Sequence, residues 1–88
     1  MSIREVMSMT VNELKERADE LAKSQFGNGK PVLYCVEHAY FSSSIHSELY
    51  SRADKALERF NSIEHGYRKV YPVIDIWDNP EQIRDRED

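Results

Sequence analysis

Apolar positions early in the chain recur at helical spacing, and from residue 32 they alternate at period two. Val11, Leu14, Ala18, Leu21 and Ala22 fall on one helical face, with Lys15, Glu16, Asp19, Glu20 and Lys23 mostly elsewhere. The start of this helix is written in MTVNEL. Thr10 is the expected N-cap and Glu13 stands at N3 of a capping box, while Met9 and Leu14 form a hydrophobic staple. GNG, residues 27 to 29, ends the helix. An earlier SIRE, residues 2 to 5, offers a cap for one short preliminary turn.

After Pro31 the pattern becomes that of a strand. VLYCVEHAYF is rich in β-branched and aromatic residues; SSS at residues 42 to 44 breaks it, and IHSELY resumes at period two. The two runs read as a β-hairpin. Ser51 then caps a second helix with Asp54 at N3; Ala53, Ala56, Leu57, Phe60 and Ile63 form its apolar face, and Gly66 stops it. VYPVIDIWD supplies a third strand, which Pro72 forces either to begin late or to lie at an edge. Asn79 and Pro80 are the N-cap and N1 of a short terminal helix. The expectation is one α+β domain over residues 1–88 in α-β-β-α-β order, with residues 1–9 an arm and residues 79–88 an acidic tail. Its helices pack on one face of a three-stranded, mostly antiparallel sheet. The third strand has two possible places, parallel to the second or antiparallel to the first.

A three-residue SSS loop sets a register in which Val36 faces Tyr50, His38 faces Glu48, Tyr40 faces His46 and Phe41 faces Ile45. One face then shows Leu33, Cys35, Ala39, Phe41, Ile45 and Leu49, interrupted by Glu37 and Ser47, and this is the face expected to carry the helices. The other shows Tyr34, His38, Tyr40, His46, Glu48 and Tyr50 together with Val32 and Val36. Tyrosines and histidines supply contact area with polar handles, so these six are the candidate partner-binding residues. The competing reading is that a helix covers this face and the tyrosines are half-buried core.

Charge narrows the partners. The net charge is −4, yet residues 1–74 hold ten acids and ten Lys or Arg, so the whole excess sits in the last fourteen residues. Without a basic footprint to displace counterions, direct nucleic-acid binding is not expected. No apolar run approaches the roughly 20 residues of a membrane helix, and MSIREVMSMT lacks the apolar core of a secretory signal. A single cysteine excludes an internal disulfide and suits a reducing, cytoplasmic setting.

The chemically active side chains do not assemble into a catalytic pattern. Cys35 needs a histidine within reach, but His38 lies three residues away on the same strand and points to the opposite face, as does His46; His65 is the only other candidate. His38, His46 and Glu48 share a face and could hold zinc, although no compact ligand spacing supports it. FGNGK, residues 26 to 30, lacks the phosphate-loop spacing and precedes a strand. Tyr34, Tyr40 and Tyr50 suggest a base-stacking platform, but residues 32 to 51 contain no Lys or Arg to frame one. No cofactor, metal or catalytic residue is expected.

VLYCVEHAY, SELYSRADKALERFNSIEHGYR and YPVIDIWD together resemble a family of short uncharacterised phage and bacterial proteins. Their shared pattern is a strand ending in Glu-His-aromatic, a second strand ending in Tyr-Ser, a helix and a closing strand, and the likeness spans about residues 32 to 78. The resemblance implies a ββαβ unit and a phage origin, and no reaction. The leading expectation is a small non-enzymatic protein, a homodimer, that binds and inhibits or redirects a host protein. The alternatives are an acidic DNA mimic and a small metal- or cysteine-dependent enzyme.

Overall fold

The cap expected at Thr10 forms: its hydroxyl oxygen accepts the Glu13 backbone N–H at 3.1 Å and the same hydroxyl donates to the Glu13 carboxylate at 3.2 Å. A computed structural model describes residues 10–24, 29–40, 44–64 and 66–85. The arm over residues 1–9, Met9 of the staple, Gly27, Phe41, most of the SSS loop and His65 therefore lie outside the described residues. Helix α1 (Val11–Lys23) buries Leu14 and Ala18, half-buries Val11 and Leu21, and leaves Ala22 exposed. Then follow β1 (Val32–Ala39), β2 (His46–Tyr50), α2 (Ala53–Ser62), β3 (Tyr67–Ile74) and a single 3-10 turn at Pro80–Gln82. The domain is α+β in the expected order. Among the described residues no helix is long and apolar enough to cross a membrane.

The sheet order is β2-β1-β3, and both pairings are antiparallel. Strand 3 thus lies beside strand 1, from Val32↔Ile74 to Ala39↔Tyr67, and begins earlier than expected. It is an edge strand, which accommodates Pro72. The bond from Asp75 N–H to the Pro31 carbonyl marks the odd-numbered β1 positions as the hydrogen-bonded pairs. Pro72 pairs with Tyr34, an even position, so its missing N–H faces away from β1 and costs no ladder bond.

Two expectations about the hairpin are corrected. Tyr50 pairs with Tyr34, Glu48 with Val36 and His46 with His38, a shift of two residues that keeps the same side chains on each face. The strands also stop at Ala39 and start at His46, so the connection is longer than SSS. The helices, moreover, pack on the opposite face from the one expected. Leu14 and Ala18 of α1 and Ala53, Ala56, Leu57 and Phe60 of α2 cluster with Tyr34, Val36 and Val70 of the sheet. Val36 and Leu14 are completely buried there. The even-numbered β1 side chains supply the volume that two apolar helix faces need; Leu33, Cys35 and Ala39 are buried on the other side of the sheet, outside that cluster.

The ends of α2 are held by distant residues. Its N-cap is Arg52, with no side-chain cap bond, and Asp54 pairs with the Arg52 guanidinium at 2.8 Å instead of serving a Ser51 cap. Ser51 is engaged by the tail: the Asp85 carboxylate accepts from the Ser51 N–H at 2.7 Å, the Ser51 hydroxyl at 3.0 Å and the Arg52 N–H at 3.0 Å. The tail reaches that point by running beside β2, where Ile83 forms a parallel bridge with Leu49 and the Arg84 N–H donates to the Leu49 carbonyl at 2.7 Å. The turn that leads into it starts as expected, the Asn79 side chain accepting the Glu81 N–H. At the other end of α2, Arg68 donates to the Phe60 and Ile63 carbonyls and sits 4.3 Å over the Phe60 ring. A cation there adds a second donor to the Phe60 carbonyl, which already accepts the Ile63 N–H, and complements the helix dipole.

Gly66 follows α2 at φ 84°, and a Cβ on it would fall inside contact distance of the Ala39 carbonyl oxygen. Its task is to admit the backbone of β3 against the end of β1, beyond the helix stop expected of it. Gly66→Ala is expected to cost about 2–4 kcal/mol, combining left-handed strain with a backbone clash, as read by urea unfolding. Asp85→Ala is expected to cost about 1–2 kcal/mol and Ser51→Ala only about 0.5, because Asp85 keeps both backbone donors when the serine hydroxyl is gone. The reverse ranking in the same unfolding measurement would place the cap on Ser51 after all.

Candidate functional site

Strand alternation sends His38, Glu48 and Tyr50 to the helix side of the sheet, at the end where α2 passes over the hairpin. Glu48 is 92% removed from solvent, at 8% exposure. A lone carboxylate would not be stable there, and this one has four bonds. It accepts from the Arg59 Nε at 2.9 Å, a second Arg59 nitrogen at 3.2 Å and the Tyr50 hydroxyl at 2.8 Å, and its other partner is the His38 Nε2 at 3.0 Å. Burial alone pushes the Glu48 carboxyl up. The Arg59 guanidinium, the Tyr50 hydroxyl and His38 outweigh it and bring the group down to about 2. Tyr50 moves the other way: burial, its bond to Glu48 and the negative charge raise the phenol to about 12. Among the described residues every buried side-chain polar atom has a partner.

The six sequence-named residues separate by depth. Tyr34 is core at 9% exposure, packed in the helix cluster, and Glu48 is buried. His38 and Tyr50 are half-buried in the polar network. Only Tyr40 and His46 are exposed, and His46 stacks on the His38 ring with centroids 5.5 Å apart. The face expected to be open is therefore mostly the helix-bearing face, and its exposed part is the hairpin end. Ile45, expected on the helix-bearing side, is exposed there too. Arg59 was invisible to sequence reasoning as a site residue. Its signal was its place on the flank of the apolar face of α2, one position before Phe60.

No three His, Cys, Asp or Glu side chains among the described residues converge as a metal-ligand set. The oxygens of Glu48 are committed to Arg59, Tyr50 and His38, and that commitment competes with any cation.

The second face of the sheet has its own chemistry. The Glu37 carboxylate accepts from the Tyr71 hydroxyl at 2.5 Å and the Tyr67 hydroxyl at 3.2 Å, both from β3. Burial pushes the Cys35 thiol up and outweighs the hydrogen bond with Tyr71 that lowers it; the nearby Glu37 charge adds to the rise, and Ser47 opposes it least. A thiol held protonated is a poor nucleophile, and His38 and His46 lie on the other side of the sheet. Beside Cys35 runs a groove of about 720 Å³ between the sheet, at Leu49 and Val73, and the C-terminal segment, at Trp77 and Arg84.

No family model matches the chain, and no curated protein or solved structure matches it. Geometry is the ground for a functional reading.

Because the Glu48 carboxyl titrates near 2 in the folded chain against an ordinary value of 4.5, its contribution to stability is complete above about pH 5. It is lost as pH falls toward 2. Glu48→Gln is expected to cost about 2 kcal/mol at pH 7, since it leaves Arg59 without its charge partner while that side chain keeps some water contact. Denaturant unfolding of parent and variant across this range should show the two curves converging below about pH 4.

Proposed function

We propose that the chain is a small protein-binding module of phage type, which acts by docking on a host protein and inhibiting or redirecting it. The observation that carries this reading is the hairpin end: Tyr40 and Ile45 are 57% and 60% exposed, next to the exposed ring of His46. Exposed apolar groups of this size, gathered with a polar aromatic, are the composition of an interface anchor. The base under them is stiff. His46 rests on His38, and His38 is fixed through Glu48 to Arg59 of α2, so a partner would meet side chains that lose little freedom on binding. The resemblance of residues 32 to 78 to short phage and bacterial proteins supports the phage assignment. Homodimerisation would use the outer edge of β3, where Pro72 offers no donor and Lys69 brings charge, so the hairpin end is the better-supported surface.

The test compares the parent with the Tyr40→Ser, Ile45→Ser double variant, both immobilised and exposed to bacterial lysate. The expected result is loss of the retained host protein with the fold kept, because both side chains are exposed and their replacement leaves the core intact. Tyr34→Ser serves as the contrast: it removes a core ring and should cost roughly 3 kcal/mol or more. Equal retention by parent and double variant would remove the hairpin end as the docking surface.

A further inference from the structure

The groove on the second sheet face lies away from the hairpin end and is not used by the docking proposed above. Its floor sets apolar Leu49 and Val73 among the polar side chains Ser47 and Tyr71, beside the buried thiol of Cys35. One wall holds Trp77, 48% exposed although it stands next to apolar surface. The rim carries two opposite charges, Glu81 and Arg84, on the C-terminal segment. Among the described residues these two side chains form no ion pair or hydrogen bond with each other or with any other side chain. The backbone beneath them is fixed on both sides: Asn79 accepts the Glu81 N–H, and the Arg84 N–H donates to Leu49. The backbone at both positions is thus fixed at the rim, and among the described residues neither side chain is paired.

This combination discriminates among ligand chemistries. A purely anionic aromatic would meet Arg84 but be repelled by Glu81, and a neutral ring would use neither. A molecule with an ammonium, a carboxylate and a large apolar side chain uses all three features. About 720 Å³ is within the range of small-ligand sites and exceeds the size of one amino acid. We infer that this groove binds a free α-amino acid with a large apolar side chain, its ammonium on Glu81, its carboxylate on Arg84 and its side chain between Trp77 and the Leu49–Val73 floor. No bond is made or broken in this binding.

Two native reporters make the proposal testable on the unmodified chain. Trp77 is the only tryptophan and Cys35 the only cysteine, and both line the groove. Titrating L-leucine and L-phenylalanine should change Trp77 emission saturably and slow the reaction of Cys35 with a thiol reagent over the same concentration range. Each of Glu81→Gln and Arg84→Gln should weaken both effects by roughly fivefold, the scale of one exposed charge pair, with the thermal melt of each variant matching the parent. N-acetyl-L-phenylalanine amide, which keeps the ring and loses both charges, distinguishes a free amino acid from a residue within a peptide. It should bind at least as weakly as the parent's ligand binds those variants. Equal binding of the blocked analogue would overturn the zwitterion assignment. A flat fluorescence titration with unaltered Cys35 reactivity would overturn the site. Neither result bears on retention of a host protein at the hairpin end.

Discussion

A single buried carboxylate sits on the side of this sheet that carries the helices, and the packing there depends on satisfying it. Glu48 lies on the face against which α1 and α2 pack, and isolated in that position it would oppose the packing. Arg59 from the arriving helix, Tyr50 from its own strand and His38 from the neighbouring strand convert the liability into a joint between three elements. Such a joint is specific more than it is strong. Desolvating the ions offsets much of their attraction, but any packing that withdrew α2 would leave the carboxylate buried without its partners. Above it, the ring of His46 stacks on that of His38.

The C-terminal segment performs two jobs that its acidic composition conceals. A surplus of acids at a chain end suggests solubility and little else. Here Asp85 takes the place of a local cap, holding the N–H groups that lead into α2, while Ile83 and Arg84 cover part of the outer edge of β2. An uncovered edge invites pairing with other chains, so the segment protects the sheet while fixing the helix. It also forms one wall of the groove beside Cys35, which exists only because the segment returns to the sheet at Leu49.

Local signals in the sequence determined the elements. Thr10 and Asn79 act as caps because a side-chain oxygen two or three residues from an unbonded N–H needs nothing else to form that bond. Period-two alternation set which β-hairpin side chains share a face, and that grouping survived a two-residue shift in register because a shift by an even number preserves it. Pro72 limited the third strand to a late start or an edge, because the proline ring removes the donor whatever surrounds it, and the edge is what forms. Only the tertiary structure decided which face of the sheet the helices cover, since each face carries both apolar and polar side chains, and Arg59, eleven residues from Glu48, meets the carboxylate only once α2 lies there. It likewise assigned Ser51 to Asp85 across thirty-four residues, and separated Tyr34 in the core from Tyr40 in solvent. Those outcomes depend on distances between elements. A sequence pattern encodes the faces of each element, and their mutual placement is settled by how the apolar faces pack and whether the charge buried with them can be satisfied.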